Sequence, residues 1–293
     1  MAHIPVLANE VILSLNVKNG KNFIDCTVGE GGHAELILSF SSPDGRLLGI
    51  ERDRSILETA EKKLARFGTR AILVRDTYVN LSKIISSYNF STIHGILFDL
   101  GISSYHIEES GGGFSFTRDE PLDMRFDRSE DTETAADILN QWTAEELEIL
   151  FEQYGEKRYA SAIAKEIVNE RIKKPFDTTY SLVRIVNRIK KVPGEKIHPA
   201  TKIFQALRIA VNKEAEQISD ALPQAVEALE RGGRLAVISF HSAEDALIKQ
   251  FFAKGQAEGK IKILTTKPIA PSLIEQKENP RSRSARMRCA EKI

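Results

Sequence analysis

Cysteine, tryptophan and a surplus of charge of either sign are what this sequence lacks. Its two cysteines, Cys26 and Cys289, stand at opposite ends of 293 residues. They offer neither a disulfide framework nor a metal-ligand spacing. No apolar run approaches the roughly 18 residues of a membrane span, so no membrane partner is expected. Met1 to Glu10 lack a basic stretch followed by an apolar one, so no secretory signal is expected and a reducing, cytoplasmic location is the default. Internal repeats and low-complexity tracts are missing as well. The formal charge is zero, with 41 basic and 41 acidic residues.

What is present is sorted rather than mixed. Hydrophobic residues make up 42% of the chain, enough for one large soluble domain or two smaller ones. Asp99 to Glu148 holds 14 acidic and 3 basic residues. Glu156 to Lys213 holds 14 basic and 5 acidic, and Lys260 to Ile293 holds 9 basic and 3 acidic. Two basic faces can therefore hide in a neutral total, and they suit either a phosphate backbone or plain solvation.

The first hundred residues alternate short apolar runs with amphipathic ones. Strands are predicted at Asn22–Ile24, Leu47–Ile50, Ala71–Val74 and Gly95–Leu100, and helices at Ala34–Phe40, Ser55–Phe67 and Asn80–Ser87. That alternation predicts an α/β fold with a doubly wound, mostly parallel sheet. Ser110 to Asp131 breaks the pattern. It reads as an ordered loop anchored by Phe114, Phe116, Leu122, Met124 and Phe126. Helices follow: one opened by the capping box Thr143-x-x-Glu146 and ended near Gly155, one over Tyr159–Lys174, and one over Ser181–Lys190. Further helices over Thr201–Val211 and Ser219–Arg231 lead through Gly232-Gly233 into a buried strand, Arg234–Phe240. The expected organisation is a discontinuous Rossmann-like domain, residues 1–106 and 207–293, with an all-helical insertion at 107–206.

The chemistry-bearing segment is Asp25-Cys26-Thr27-Val28-Gly29-Glu30-Gly31-Gly32-His33, set between a strand and a helix. Glycine lets the backbone turn sharply and approach a ligand, and the free N–H groups of the helix start face it. Glu51 follows Gly31 by 20 residues, the spacing at which a second strand delivers a carboxylate to ribose hydroxyls. Gly29-x-Gly31-x-x-Ala34 satisfies the dinucleotide fingerprint. It also resembles the first motif of S-adenosylmethionine-dependent methyltransferases, with Asp25 as the acid and Thr27 in place of the first glycine. A nucleotide-dependent oxidoreductase and a methyltransferase both stay open on the loop alone.

Longer motifs are more specific. Asp99-Leu100-Gly101-Ile102-Ser103-Ser104, Gly113-Phe114-Ser115-Phe116 with Pro121-Leu122-Asp123-Met124-Arg125, His198-Pro199-Ala200-Thr201 with Phe204 to Asn212, Ser239-Phe240-His241-Ser242 with Glu244-Asp245, and Asn279-Pro280-Arg281-Ser282-Arg283-Ser284 occur in that order. In this arrangement the chain resembles the RsmH (MraW) family over nearly its whole length. The resemblance implies a class I methyltransferase that uses S-adenosylmethionine to methylate N4 of a cytidine in 16S ribosomal RNA, near the decoding centre of the small subunit. The partner it implies is 16S rRNA, in the small subunit or its precursor; the oligomeric state, a homodimer included, is left open.

Residue by residue, the resemblance implies that Gly31, Gly32 and His33 line the methionine part of the cofactor, that Glu51 binds its ribose and that Tyr78 packs on its adenine. Asp99 and His106 complete the cofactor set. Asp99 is also the candidate catalytic residue, accepting an N–H of the target amine or positioning the cofactor. Phe116, Arg125, His198, Arg208, Asn212, His241, Arg281 and Arg283 are the RNA-binding candidates. Phe116 reads more readily as a loop anchor than as a base-stacking ring, and a disordered basic end is the other reading of the arginine-rich tail. No metal is expected: Asp119, Asp123 and Asp127 match no ligand spacing, and salt bridging with Arg118 and Arg125 explains them. Gly112, Ala243 and Ala246 depart from the family pattern. A methyltransferase acting on another RNA and a non-catalytic RNA-binding relative remain as alternatives.

Overall fold

A computed structural model describes residues 4–129, 131–190 and 198–293. The chain divides into two compact units, residues 1–101 with 215–293 and residues 102–214. The boundaries fall at 101 and 214 rather than at the expected 106 and 206. The second shift has a plain cause. The helix Thr201–Asn212 buries Ile203, Phe204, Leu207 and Val211 in the core of the helical unit, so it belongs there whole.

The first unit begins with α1 (Ala8–Ser14), β1 (Asn22–Asp25), α2 (Gly32–Phe40), β2 (Leu47–Glu51), α3 (Arg54–Leu64), β3 (Ala71–Arg75), α4 (Leu81–Ser87) and β4 (Ile93–Asp99). The helical unit contributes α5 (Ser104–Glu108), α6 (Ala135–Gln141), α7 (Ala144–Leu150), α8 (Ala160–Arg171), α9 (Thr179–Ile189) and α10 (Thr201–Asn212). The first unit then resumes with α11 (Glu214–Ala228, whose first residue closes the helical unit), β5 (Leu229–Ser239), α12 (Ser242–Ala257), β6 (Ile261–Ile263), α13 (Leu273–Glu278) and β7 (Arg286–Lys292).

Among the described residues the strands form one seven-stranded sheet in the order β3-β2-β1-β4-β5-β7-β6. The first five are parallel, and β7 pairs antiparallel with both β5 and β6. Successive side chains on a strand face opposite ways, and the two cores follow that period. Ile24, Leu48, Ile96, Phe98, Leu235 and Val237 share one cluster with α4, α11 and α12. Phe23, Leu47, Leu97, Ala236 and Ile238 share the other with α1, α2 and α3. Helices thus cover both faces of a doubly wound sheet.

β5 starts five residues before its predicted beginning, because Leu229 pairs with Ile93 ahead of a register break that includes Gly232 at φ 80°. The tail is not a disordered end. Met287, Cys289 and Ala290 are buried, and β7 runs between two other strands. Its arginines give the segment the look of a solvated basic end.

The helical unit has its own core, from Ile138, Leu147, Phe151, Ile163, Ile167, Leu182 and Val186 to Leu207. Thr143 caps α7 with the predicted box, and Thr134 caps α6 in the same way through Asp137.

Candidate functional site

The carboxyl ends of β1, β2, β4 and β5 share one edge of the sheet, where strand order reverses between β1 and β4. Open α/β sheets bind ligands at such an edge. Three ties fix it. Thr27 Oγ1 accepts the Asp99 N–H at 2.7 Å, linking the ends of β1 and β4. Glu51 accepts the Gly29 N–H through Oε2 at 3.1 Å and the Asp53 N–H through Oε1 at 2.9 Å. The Val28 N–H donates to the Ile50 carbonyl at 3.0 Å.

Gly29 and Gly31 hold φ of 52° and 84°, conformations an L side chain rarely adopts. Gly31 is the N-cap of α2 and provides no side-chain cap, so the first amides of that helix face the loop. Gly32 and His33 form its first turn. Tyr78 follows β3, half-buried, with its ring edge-on to Phe98 at 5.5 Å between centroids.

Beneath the loop three ionisable side chains converge from three elements. Asp25 ends β1 and is 1% exposed; His33, in α2, is 6% exposed. His33 Nε2 stands 3.5 Å from Asp99 Oδ2 at the end of β4, an ion-pair distance without hydrogen-bond alignment. Asp25 Oδ1 accepts the Thr27 N–H at 3.1 Å. Asp25 Oδ2, Asp99 Oδ1 and both His33 ring nitrogens are buried with no hydrogen-bond partner among the described residues. Burial, opposed by His33 and the Thr27 amide and aided by Asp99 and Glu51, pushes the Asp25 carboxyl up to about 7. Burial draws the His33 imidazole down, but Asp99 foremost, then Asp25 and Glu275, outweigh it and leave it above its usual value. Asp25 was visible in the sequence as the motif acid. Its burial was not, because nothing local says which strand-end acids lose water.

At the end of β5, His241 caps α12. Its Nδ1 accepts the Glu244 N–H at 3.3 Å, while Glu244 Oε2 accepts the Phe240 and His241 N–H groups at 2.8 and 3.3 Å. An accepting Nδ1 puts the ring proton on Nε2, 3.0 Å from Glu244 Oε1 but poorly aligned with it. Asp245 pairs with Arg288 through two bonds of 2.7 and 3.0 Å. The hydrogen bond from Arg288 holds the Asp245 carboxyl below the usual carboxylate range. Arg288 is therefore a sheet residue and not part of a free basic arm. Ser239 pairs with Arg286 in register, so the single turn Pro280–Ser284 that precedes β7 lies at the ligand edge, with Arg281 and Arg283 exposed.

The remaining candidates lie in the helical unit. His106 is buried in α5, with Nδ1 2.7 Å from the Ser103 hydroxyl and its ring against Phe114 and Phe126, which stack on each other at 5.7 Å. Phe116 stacks on His198 at 4.5 Å and meets Phe204 edge-on, against the unit's core. Three polar candidates are committed to the fold. Arg125 is bidentate to Asp123 at 2.8 and 2.9 Å. Arg208 is bidentate to Glu214 at 2.7 and 2.9 Å. Asn212 donates to the Met124 and Arg208 carbonyls and accepts the Phe126 N–H. Arg125, Arg208 and Asn212 thus each hold a partner within the helical unit. The Arg125 pairing is the salt bridging expected from the loop sequence; those of Arg208 and Asn212 are not foreseen by it, because Glu214 and the Met124–Phe126 backbone come from a helix end and a loop whose path the sequence does not give.

The acidic residues of the loop turn to different partners. Asp119 accepts the Tyr180 N–H, Asp123 pairs with Arg125, and Asp127 accepts from Ser129. Burial works upward on Asp123, but the Arg125 guanidinium outweighs it and keeps the carboxyl low.

Similarity to known proteins bears on the same residues. A family model described as the MraW methylase family matches residues 1–293. The ribosomal RNA small subunit methyltransferase H of Thermomicrobium roseum is 44% identical over 306 residues, covering 99% of this chain and 94% of its own. That of Persephonella marina is 43% identical over 293 residues, covering 99% of both. Among solved structures, an rRNA methylase from Streptococcus thermophilus is similar with a TM-score of 0.47 at 12% identity, across 100% of this chain and 99% of that one.

Proposed function

The chain belongs to the MraW methylase family, and from that premise we propose that it methylates the exocyclic N4 amine of a cytidine in 16S ribosomal RNA, near the decoding centre of the small subunit. Its activity is S-adenosylmethionine-dependent methylation of small-subunit rRNA, the activity of the relatives it matches along its length. The cytoplasm, where that RNA is made, is its place of action. No described helix is long and apolar enough to cross a membrane.

The observation that carries the reading is the group of unsatisfied buried polar atoms on Asp25, His33 and Asp99 under a left-handed glycine loop. Buried polar groups are almost always paired, so these await donors and a positive charge. A ligand with a cationic amine, ribose hydroxyls and a flat base supplies them. The residues present fit that group. Gly31, Gly32 and His33 would hold its amino-acid tail, Glu51 its ribose and Tyr78 its adenine. His106 is the further cofactor candidate.

When bound, S-adenosylmethionine would supply a methyl group activated on a sulfonium, with the neutral thioether as the leaving group of an in-line displacement. The protein's part is then positioning. The cytosine amine is a weak nucleophile, because its lone pair is delocalised into the ring. Asp99 accepts one of its N–H hydrogens and draws the nitrogen toward tetrahedral geometry. Thr27 fixes the Asp99 backbone, and His33 beside it limits where the carboxylate turns. The target base must leave its stack to reach such an edge. Arg281 and Arg283 bind the phosphates of the flanking RNA, and His241 sets the rim beside them as the cap of α12. Phe116 and His198 form a stacked aromatic pair suited to a base.

Nucleoside mass spectrometry tests the reading. Small subunits from cells lacking this gene are incubated with the protein and S-adenosylmethionine. N4-methylcytidine is the expected product, and methylation of another atom or none at all rejects it. For Asp99→Asn, methylation is lost while cofactor affinity holds. Parallel loss of both removes the amine role and leaves Asp99 a cofactor ligand.

A further inference from the structure

The cluster under the glycine loop carries more negative than positive charge. Asp25 faces His33 from α2, Asp99 from β4 and Glu51 from β2. His33 faces Asp99, Asp25 and, from α13, Glu275. Asp25 itself lies dry against one imidazole and the Asp99 carboxylate, and charges act on a buried group far more strongly than in water. Asp25 is the least hydrated of them, and one of its oxygens has no partner. Holding a proton is its way of limiting that surplus.

We propose that Asp25 reads the charge of the bound ligand: a sulfonium donor expels a proton from it, and the product of methyl transfer, whose sulphur is neutral, expels fewer. This inference rests on the reading of the site as the S-adenosylmethionine site. No bond forms or breaks in it. The Asp25 proton passes to solvent when the donor binds and returns as the positive charge on sulphur is lost. The arrangement distinguishes donor from product by charge, where the two differ in shape by one methyl group.

The sign follows from linkage. In the free protein Asp25 titrates near neutrality, and a cation beside it favours the carboxylate. Between the bound and free values, raising the pH favours binding of the cation. Donor affinity therefore rises with pH, by about fivefold between roughly pH 6 and 8 for a drop of one unit on binding. Product affinity rises less, so the preference for donor over product widens as pH rises.

Titration calorimetry at neutral pH in two buffers of different ionisation enthalpy reads the proton directly. With S-adenosylmethionine the apparent enthalpy differs between buffers in the direction of proton release. With S-adenosylhomocysteine the difference is smaller. In Asp25→Asn the donor's proton release disappears from whatever binding the variant retains. Equal heats in both buffers, equal release for both ligands, or release that persists in Asp25→Asn overturns the proposal. The comparison of donor with product in the unmodified protein needs no variant, so it decides the matter even where Asp25→Asn fails to fold. Failure of both ligands to bind is a different result, and it removes the cofactor reading itself.

Discussion

Asn212 shows what one polar side chain can hold together. It sits at the end of α10, 3% exposed, and its amide meets Met124, Phe126 and Arg208. Met124 needs that support, since its φ is 60° and its side chain is fully buried. A non-glycine residue in that region is strained and persists only where its surroundings fix it. Asn212→Ala strands a buried carbonyl and a buried N–H, at a cost of about 2 kcal/mol. Asn212→Asp keeps the acceptor but sets a buried carboxylate oxygen against two carbonyls, and it costs at least as much. Thermal melting of the two variants ranks them, and an Asn212→Ala protein as stable as the parent rejects the brace. At this scale the sequence is legible in identity and poor in environment. Gly31, Glu51 and Asp99 could be named from spacing and resemblance. That Thr27 ties Asp99 to β1, or that Asp25 lies dry, depends on strands that meet only in the folded sheet.

Elements divide in the same way. Of the first hundred residues, the four strands and the helices α2, α3 and α4 could be read because each has its own period and turn residues, and α1 could not. β7 could not, because Arg286 and Arg288 make one of its two faces read as solvated, whereas Arg288 is buried and neutralised by Asp245 from α12. The consequence is testable. A chain cut after Asn279 loses an interior strand and bares the ladder edges of β5 and β6. It is expected to aggregate and to lose its cooperative melt by calorimetry and size-exclusion chromatography. A truncated chain that melts like the parent shows β7 to be dispensable. Truncation is thus the wrong test of RNA binding. Arg281→Glu with Arg283→Glu leaves the strand intact. That double variant should weaken RNA binding and flatten its salt dependence by roughly one ion per lost phosphate contact. An unchanged salt slope removes these arginines from the RNA.

At the scale of the molecule, two cores of different kind share one chain. The sheet unit takes its order from pairings between distant segments; the helical unit combines helices that follow one another, α7 with α8 and α8 with α9, with longer reaches such as Asn212 to Met124. Trp142, the chain's one tryptophan, packs against the helical core, so its fluorescence follows that unit while ligand binding at the glycine loop follows the other. Phe151 is fully buried in the same core, and Phe151→Ala should cost about 3 to 5 kcal/mol there. The expected signature is an earlier loss of Trp142 emission with little change in the cofactor affinity of the folded protein at low temperature. Equal losses of both at every temperature would mean that the two units unfold as one.

The pairing of β4 with β5 has a further consequence in time. These strands lie side by side, Ile96 against Leu235, yet the entire helical unit separates them along the chain. Joining them from an unfolded chain closes a very long loop, and the entropy of that closure is slow to recover. Local helix pairing does not wait for it. The helical unit can condense first, and once condensed its residues no longer count as free chain between the two strands. An insertion that interrupts the sheet in sequence thus shortens the search by which the sheet finds itself.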